Sequence, residues 1–455
     1  MANEKLTDKP VVKKLSDSNS LFVNAGGKVS QIPVADFRDS LNNNDSQVLN
    51  ELAFFIDINE PFSNNATKVN VGGNMNMRQL WEDSLDPILL DEHGNYCLLN
   101  RKDSRYTADG ELIIDANKLN THYDHLDVMG YIKTTYGRVQ EVPSAGRTIL
   151  RLWLSLSPLP GGFVIPPLVV GKFKGFVDSQ GRLRSIPGVV PTPGDGTVKG
   201  RIDWFWNAAQ KRSKNHGLAN EDFRAALAFY SMSKYGQRDC QNTTTKDGTL
   251  VWGVGLDGTE SVKAPSNEKF NAQKVIVTGA TLSLGTADGK ANVSDANGDV
   301  CHSVNVWNFE NVWGQYWEMV QGLCSVGTTV YCWRSNFVPS TTSKPTDDTF
   351  KNVDHVKLIR SASSGVTAMN IITGAGQGVY MVPKEAAPGV SYGDNYWYDA
   401  AGQLWLFGGT SYSGSSCGFA CASSRSAWSA SYSDIVGRLA YYGPLQQVSS
   451  AQLRK

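Results

Sequence analysis

The chain has 455 residues, and its 43 Lys plus Arg balance 43 Asp plus Glu, for a net charge of zero. Such a balance argues against a nucleic-acid partner, which selects a basic face, and leaves sugars and proteins open as ligands. The length predicts two or three domains. Hydrophobic residues at 41% supply a large core, and 44 glycines beside 12 Trp and 17 Tyr suit turn-rich β structure. The longest apolar run, Phe163 to Val170, contains two prolines and falls short of the ~20 residues of a membrane span, so no membrane insertion is expected. The opening MANEKLTDKPVVKK has no apolar h-region, so synthesis in the cytoplasm without a signal peptide is expected. The seven cysteines are irregularly spaced, and a reducing compartment predicts buried thiols.

Residues 1–50 stand apart. Leu21 to Ala25 and Lys28 to Ile32 flank Gly26-Gly27 and read as a hairpin. Pro33 to Leu41 reads as a short helix with Val34, Phe37 and Leu41 on one face. Such a unit is too small to hold itself together and needs a neighbour. Asn64 to Met77 is Asn-rich and reads as a linker. Glycine-turn hairpins follow at Leu89–Tyr96, Tyr106–Ile113 and Phe176–Leu183, with a fourth at Trp397–Leu404. Two helices are predicted, Asp203 to Lys214 and Glu221 to Lys234. The second is capped by Asn220, has acids in its first turn, and presents Phe223, Ala226, Leu227 and Tyr230 on its apolar face. Two helices ahead of a long irregular β region give an α+β expectation.

Several motifs carry little chemistry. Gly253 to Gly258 matches G-x-G-x-x-G, but no helix pattern follows, so it reads as a turn; Gly374 to Gly378 is a second glycine loop. His122-Tyr123-Asp124-His125 has no second cluster to complete a metal site. Cys417 and Cys421 form a lone C-x-x-x-C pair, whereas structural zinc requires four ligands, so a core pair of thiols or a disulfide formed outside the cell is expected. No metal and no cofactor are expected, and nothing matches a serine-hydrolase pattern.

Three segments together resemble one family. They are Asn207 to Gly236; Asn308-Phe309-Glu310-Asn311-Val312-Trp313-Gly314-Gln315-Tyr316-Trp317-Glu318; and Leu404 to Gly409 followed by a serine-rich stretch and Ile435 to Tyr442. The middle segment resembles the N-x-x-G-N-V-W-E-W signature of C-type-lectin-like domains in formylglycine-generating enzymes and in diversity-generating-retroelement variable proteins. The last resembles the C-terminal variable region of the retroelement proteins, which include phage tropism determinants. Ser18 to Leu41 is similar in plan to N-terminal segments of phage tail proteins. Read from the residues alone, Trp313, Trp317 and Glu318 form packed core with the carboxylate held by hydrogen bonds; a catalytic carboxylate is the alternative. The motifs of calcium-dependent sugar-binding lectins are absent.

The window 410–434 reads TSYSGSSCGFACASSRSAWSASYSD, with ten serines and two charged residues, and shows neither helix nor strand periodicity. It lies between apolar runs at Leu404–Phe407 and Ile435–Tyr442, which argues against a tether. Ser, Gly and Tyr dominate antibody paratopes, where Tyr gives amphipathic contact and Ser adaptable hydrogen bonds. The resemblance adds that variable codons start as Asn codons mutated at adenine, which excludes Lys, Glu, Gln, Met and Trp. The window has none of the first four, and Trp428 is assigned to the fixed scaffold. The expected contacts are Thr410, Ser411, Tyr412, Ser413, Ser416, Phe419, Ser423, Ser424, Arg425, Ser429, Ala430, Ser431, Tyr432, Ser433 and Asp434. Tyr412, Phe419, Arg425 and Tyr432 are expected to supply most of the energy.

The resemblance therefore implies a non-enzymatic host-recognition protein of a phage tail, located in the virion. Residues 1–50 would attach to other tail proteins, 51–144 form a β-rich connector, and 145–455 form a C-type-lectin-like head with its variable region at about 404–440. The expected partner is a bacterial cell-surface protein or glycan, and the expected assembly is a homotrimer. The alternatives are a bacterial surface or secreted binding protein on the same scaffold and a formylglycine-generating-type enzyme.

Overall fold

The structure, a computed structural model, describes residues 20–25, 28–33, 53–59, 70–73, 77–144, 147–235, 240–252 except 242, 244 and 246, 276–294, 300–341, 345–368, 371–373, 379–386 except 384, 394–410, 413 and 416–455. Near the N-terminus, Ser20–Ala25 pairs antiparallel with Lys28–Pro33, as the Gly-Gly turn predicts. The helix expected from Pro33 to Leu41 and both glycine loops, Gly253 to Gly258 and Gly374 to Gly378, lie outside the described residues beyond Pro33. Within the expected linker, Asn70–Gly73 is instead a strand, paired with Phe54–Asn59.

The α+β expectation is overturned: the described residues are mostly strand with few helices, a β-rich fold. The two predicted helices form, at Ile202–Gln210 and Glu221–Tyr235, but the rest of the glycine- and aromatic-rich sequence pairs into sheets. Asn220 Oδ1 accepts the Phe223 N–H at 3.3 Å, which satisfies an orphan donor of the second helix. Phe223, Ala226, Leu227 and Tyr230 are buried on its inner face.

A seven-stranded sheet runs His216–Leu218, Leu439–Tyr441, Leu168–Gly171, Asp127–Ile132, Leu85–Leu90, Asn95–Leu98 and Gln446–Gln447. It therefore draws strands from both sides of the boundary expected between 144 and 145. A hairpin crosses the same boundary, Thr135–Ser144 pairing with Arg147–Ser155. Residues 51–144 are thus not a separate connector: Asp127–Ile132 pairs on one side with Leu168–Gly171 of the expected head and on the other with Leu85–Leu90, so the sheet is continuous across the boundary.

The second large sheet carries the C-terminal window. At its centre lie Trp317–Val326, Leu404–Gly408, Gly418–Ser426 and Asn395–Tyr398, in that order, with Ile435–Val436 parallel to the first. Side chains alternate between the faces of a strand. One face buries Val320, Trp405, Phe407, Ala422 and Tyr396 in a common core. Trp405 Nε1 donates to Ser325 Oγ at 2.7 Å. Helix Glu221–Tyr235 is tied to this sheet by buried Arg224, whose guanidinium donates to the Val312 and Phe419 carbonyls at 3.1 and 2.6 Å.

Candidate functional site

The other face of the C-terminal sheet opens into a cleft. The strand register places Trp317, Leu406, Ser423 and Trp397 on that face. Met319, two residues from Trp317, pairs with Leu406, Leu406 pairs with Ser423, and Ser423 pairs with Trp397. Arg425, two residues beyond Ser423, lines the same cleft, as period two requires. The cleft has a volume of about 630 Å³, and its rim is completed by Asp399, Ser413, Ser426, Ala427, Tyr432, Asp434 and Ile435. That volume falls within the ~300–1,000 Å³ range of small-ligand sites.

Two half-buried indoles shape the interior: Trp317 and Trp397 meet edge to face with ring centroids 5.5 Å apart. Tyr432 is 46% exposed on the rim. Arg425 is exposed, and among the described residues no ion pair engages it. Asp399 is held at its turn by accepting the Ala401 N–H at 2.8 Å and by the Gly402 N–H bond to its carbonyl. A Cβ on Gly402 would lie 1.8 Å from the Ser424 carbonyl oxygen, so the turn packs directly on the strand beside it.

The expected contact residues divide sharply. Ser413, Ser423, Arg425, Tyr432 and Asp434 line the cleft. Ser416, Ser429 and Ser433 are partly or fully exposed outside its lining. Ser411 and Tyr412 lie outside the described residues.

Thr410, Phe419, Ser424, Ala430 and Ser431 are buried, which corrects their assignment as contacts. Phe419 packs edge-on against Trp313 with centroids 5.0 Å apart, in the core beneath helix Glu221–Tyr235. Ser424 Oγ lies 2.7 Å from the Tyr396 hydroxyl on the inner face. Thr410 and Ser413 hydroxyls bond each other, and Ser431 donates to the Lys199 carbonyl at 2.6 Å.

The physical reason is that the window is not aperiodic. Gly418–Ser426 is a nine-residue strand, and small serines on both faces hide its alternation. Gly418 begins it at φ 151°, where a Cβ would sit 1.9 Å from Asp394 Oδ1. The other Asp394 oxygen accepts the Ala420 N–H at 2.8 Å. Trp428, assigned to the scaffold, is buried and donates to the Pro339 carbonyl at 3.2 Å.

Sequence reasoning missed Trp397, Asp399 and Leu406 and placed Trp317 in the core. Trp397 was read as one arm of a hairpin with Leu404. Those two strands do not pair with each other, because Gly418–Ser426 lies between them, parallel to one and antiparallel to the other. The available signal was the aromatic Trp397 in a short extended run close in sequence to the serine-rich window.

Glu318 belongs to the scaffold. It accepts from Arg438 Nε and Nη2 at 2.8 Å each and from Lys174 Nζ at 2.7 Å. Burial raises its carboxyl, but Arg438 and Lys174 outweigh that and hold it at about 2. The seven cysteines are buried free thiols. Burial, with Cys417 and Asp394 nearby, pushes the Cys421 thiol well up, which disfavours a thiolate there. Among the described residues no group of three or more His, Cys, Asp or Glu is placed to hold a metal ion. No helix of the described residues is long and apolar enough to cross a membrane.

Compared with known proteins, the chain matches no protein-family model and is significantly similar to no curated protein.

Proposed function

We propose that this chain is the receptor-binding protein of a phage tail and grips a bacterial surface ligand in the cleft between Trp317, Trp397, Arg425 and Tyr432. The observation that carries the reading is the convergence of the serine- and tyrosine-rich window with two half-buried indoles on one open face of a rigid sheet. Rigid aromatic anchors surrounded by small hydroxylic residues are the chemistry of recognition surfaces. Supporting it are the resemblance of 404–442 to retroelement-diversified variable regions and the resemblance of Ser18 to Leu41 to tail-protein N-termini. In this reading residues 1–50 attach the chain to the virion, and a homotrimer presents several cleft sites at once, so that weak single sites combine into firm attachment.

The test is competition. Purified full-length protein, added to bacteria of the phage's host range, is expected to block adsorption of the phage. The double variant Arg425→Ala/Tyr432→Ser is expected to leave adsorption unaffected while keeping the wild-type Tm. Wild-type protein that coats no cells and blocks no adsorption overturns the proposal.

A further inference from the structure

We infer that the ligand of this cleft is an uncharged saccharide, an inference that rests on the receptor-binding reading and adds the ligand class to it. Three observations point there.

The first is the aromatic corner. Trp317 and Trp397 stand at 85° to each other, 5.5 Å between centroids, and both are half-buried rather than sealed in the core. An indole face carries negative partial charge, and the C–H face of a pyranose carries positive partial charge on its hydrogens. A flat sugar ring can therefore lie on one indole while the perpendicular indole bounds its edge. A peptide side chain could fill the corner too, but it lacks the hydroxyl array that the rest of the cleft addresses.

The second is the polar set around that corner. Asp399 and Asp434 supply carboxylate acceptors, Arg425 a planar fork of donors, and Ser423 a hydroxyl that both donates and accepts. Vicinal hydroxyls need this mixture, because each donates one hydrogen bond and accepts others. Two carboxylates against one guanidinium make the lining unsuited to a phosphate-rich or polyanionic glycan, which would meet like charge without a surplus of cations.

The third is shape. The site is a concavity of about 630 Å³. Protein partners are usually engaged over broad surfaces of roughly 800 Å² per side, whereas a concavity of this size fits one or two sugar rings.

The experiment uses fluorescently labelled full-length protein and a panel of intact bacteria. Cells are left untreated, oxidised with periodate to cleave sugar diols, or shaved with protease. Binding at least tenfold weaker after periodate and unchanged after protease is the expected result. Binding lost after protease and retained after periodate overturns the saccharide inference while the receptor-binding reading stands. Binding to no untreated strain overturns both.

On the bound strain, Trp397→Ala is expected to weaken binding at least tenfold and Trp397→Phe to restore part of it, both with wild-type melting behaviour. Methyl glycosides of glucose, galactose and N-acetylglucosamine, each added at 100 mM, extend the test. Displacement of wild-type protein by at least one of them is expected; Trp397→Ala binding at wild-type strength overturns the inference.

Discussion

Arg438 donates from Nε and Nη2 to the two carboxylate oxygens of Glu318, 2.8 Å each, with both side chains buried. This bidentate pair clips the C-terminal strand Ile435–Val436 alongside Trp317–Val326, where Trp317 pairs with Ile435 and Glu318 with Val436. Trp317 and Ile435 face the cleft while Glu318 points the other way. The ion pair thus anchors the wall of the cleft from behind. Arg438 also donates to the Gly171, Lys172 and Glu310 carbonyls, so it joins the two large sheets.

Removing one partner of such a pair strands a buried charge. Glu318→Gln is expected to cost about 3–5 kcal/mol, measured by urea denaturation. Arg438→Lys is expected to destabilise nearly as much, because an ammonium cannot reproduce the planar fork. A loss below ~1 kcal/mol in both variants contradicts this role.

Two aromatic residues of the same window are expected to behave oppositely. Phe419→Ala empties a core position against Trp313 and Trp252 and should cost about 3–5 kcal/mol. Tyr432→Ser removes a rim side chain that is 46% exposed and should leave Tm nearly unchanged while weakening cell binding by more than tenfold. Paired thermal melts and binding curves separate the two roles.

Stability should fall as pH drops below neutrality, in part through His216. Burial, reinforced by Arg212 against the pull of Asp127, pushes this imidazole down to about 4. Its unfolded value is near 6.5, so between about 6.5 and 4 the unfolded chain binds the extra proton. The contribution of His216 is therefore fully present above pH 6.5 and is lost as pH falls toward 4, with a slope of up to ~1.4 kcal/mol per pH unit. Chemical denaturation of wild type and His216→Asn at pH 7, 6, 5 and 4 checks this; the variant should show the shallower decline.

The proposed retroelement diversification makes a positional prediction. An Asn-rich near-copy of 404–440 beside a reverse-transcriptase gene should carry Asn codons at the cleft positions 423, 425, 432 and 434. It should spare position 419, which the core fixes as Phe. Asn codons spread equally over core and cleft positions contradict the arrangement.

Local chemistry made much of the fold legible. The Gly-Gly hairpin, the Asn220 cap and the apolar face of Glu221–Tyr235 all follow from turn and helix rules that act within a few residues. The α+β class was misread because two clear helices drew more weight than many short strands whose glycines and serines blur their alternation. Arg425 and Tyr432, expected at the surface from composition, line the cleft. The burial of Ser424 and Phe419 was not legible, since only the register against Leu404–Gly408 decides which side chains turn inward. The insertion of Gly418–Ser426 between Asn395–Tyr398 and Leu404–Gly408 is a long-range pairing that no local pattern encodes, and it is what brings Trp397 to the cleft.

The most direct test of the central claim is the affinity of the full-length protein for intact host bacteria, compared between wild type and Arg425→Ala/Tyr432→Ser at equal Tm. The cleft account predicts at least a hundredfold loss in the double variant. Equal affinity of the two proteins would contradict it, because recognition would then lie on another surface.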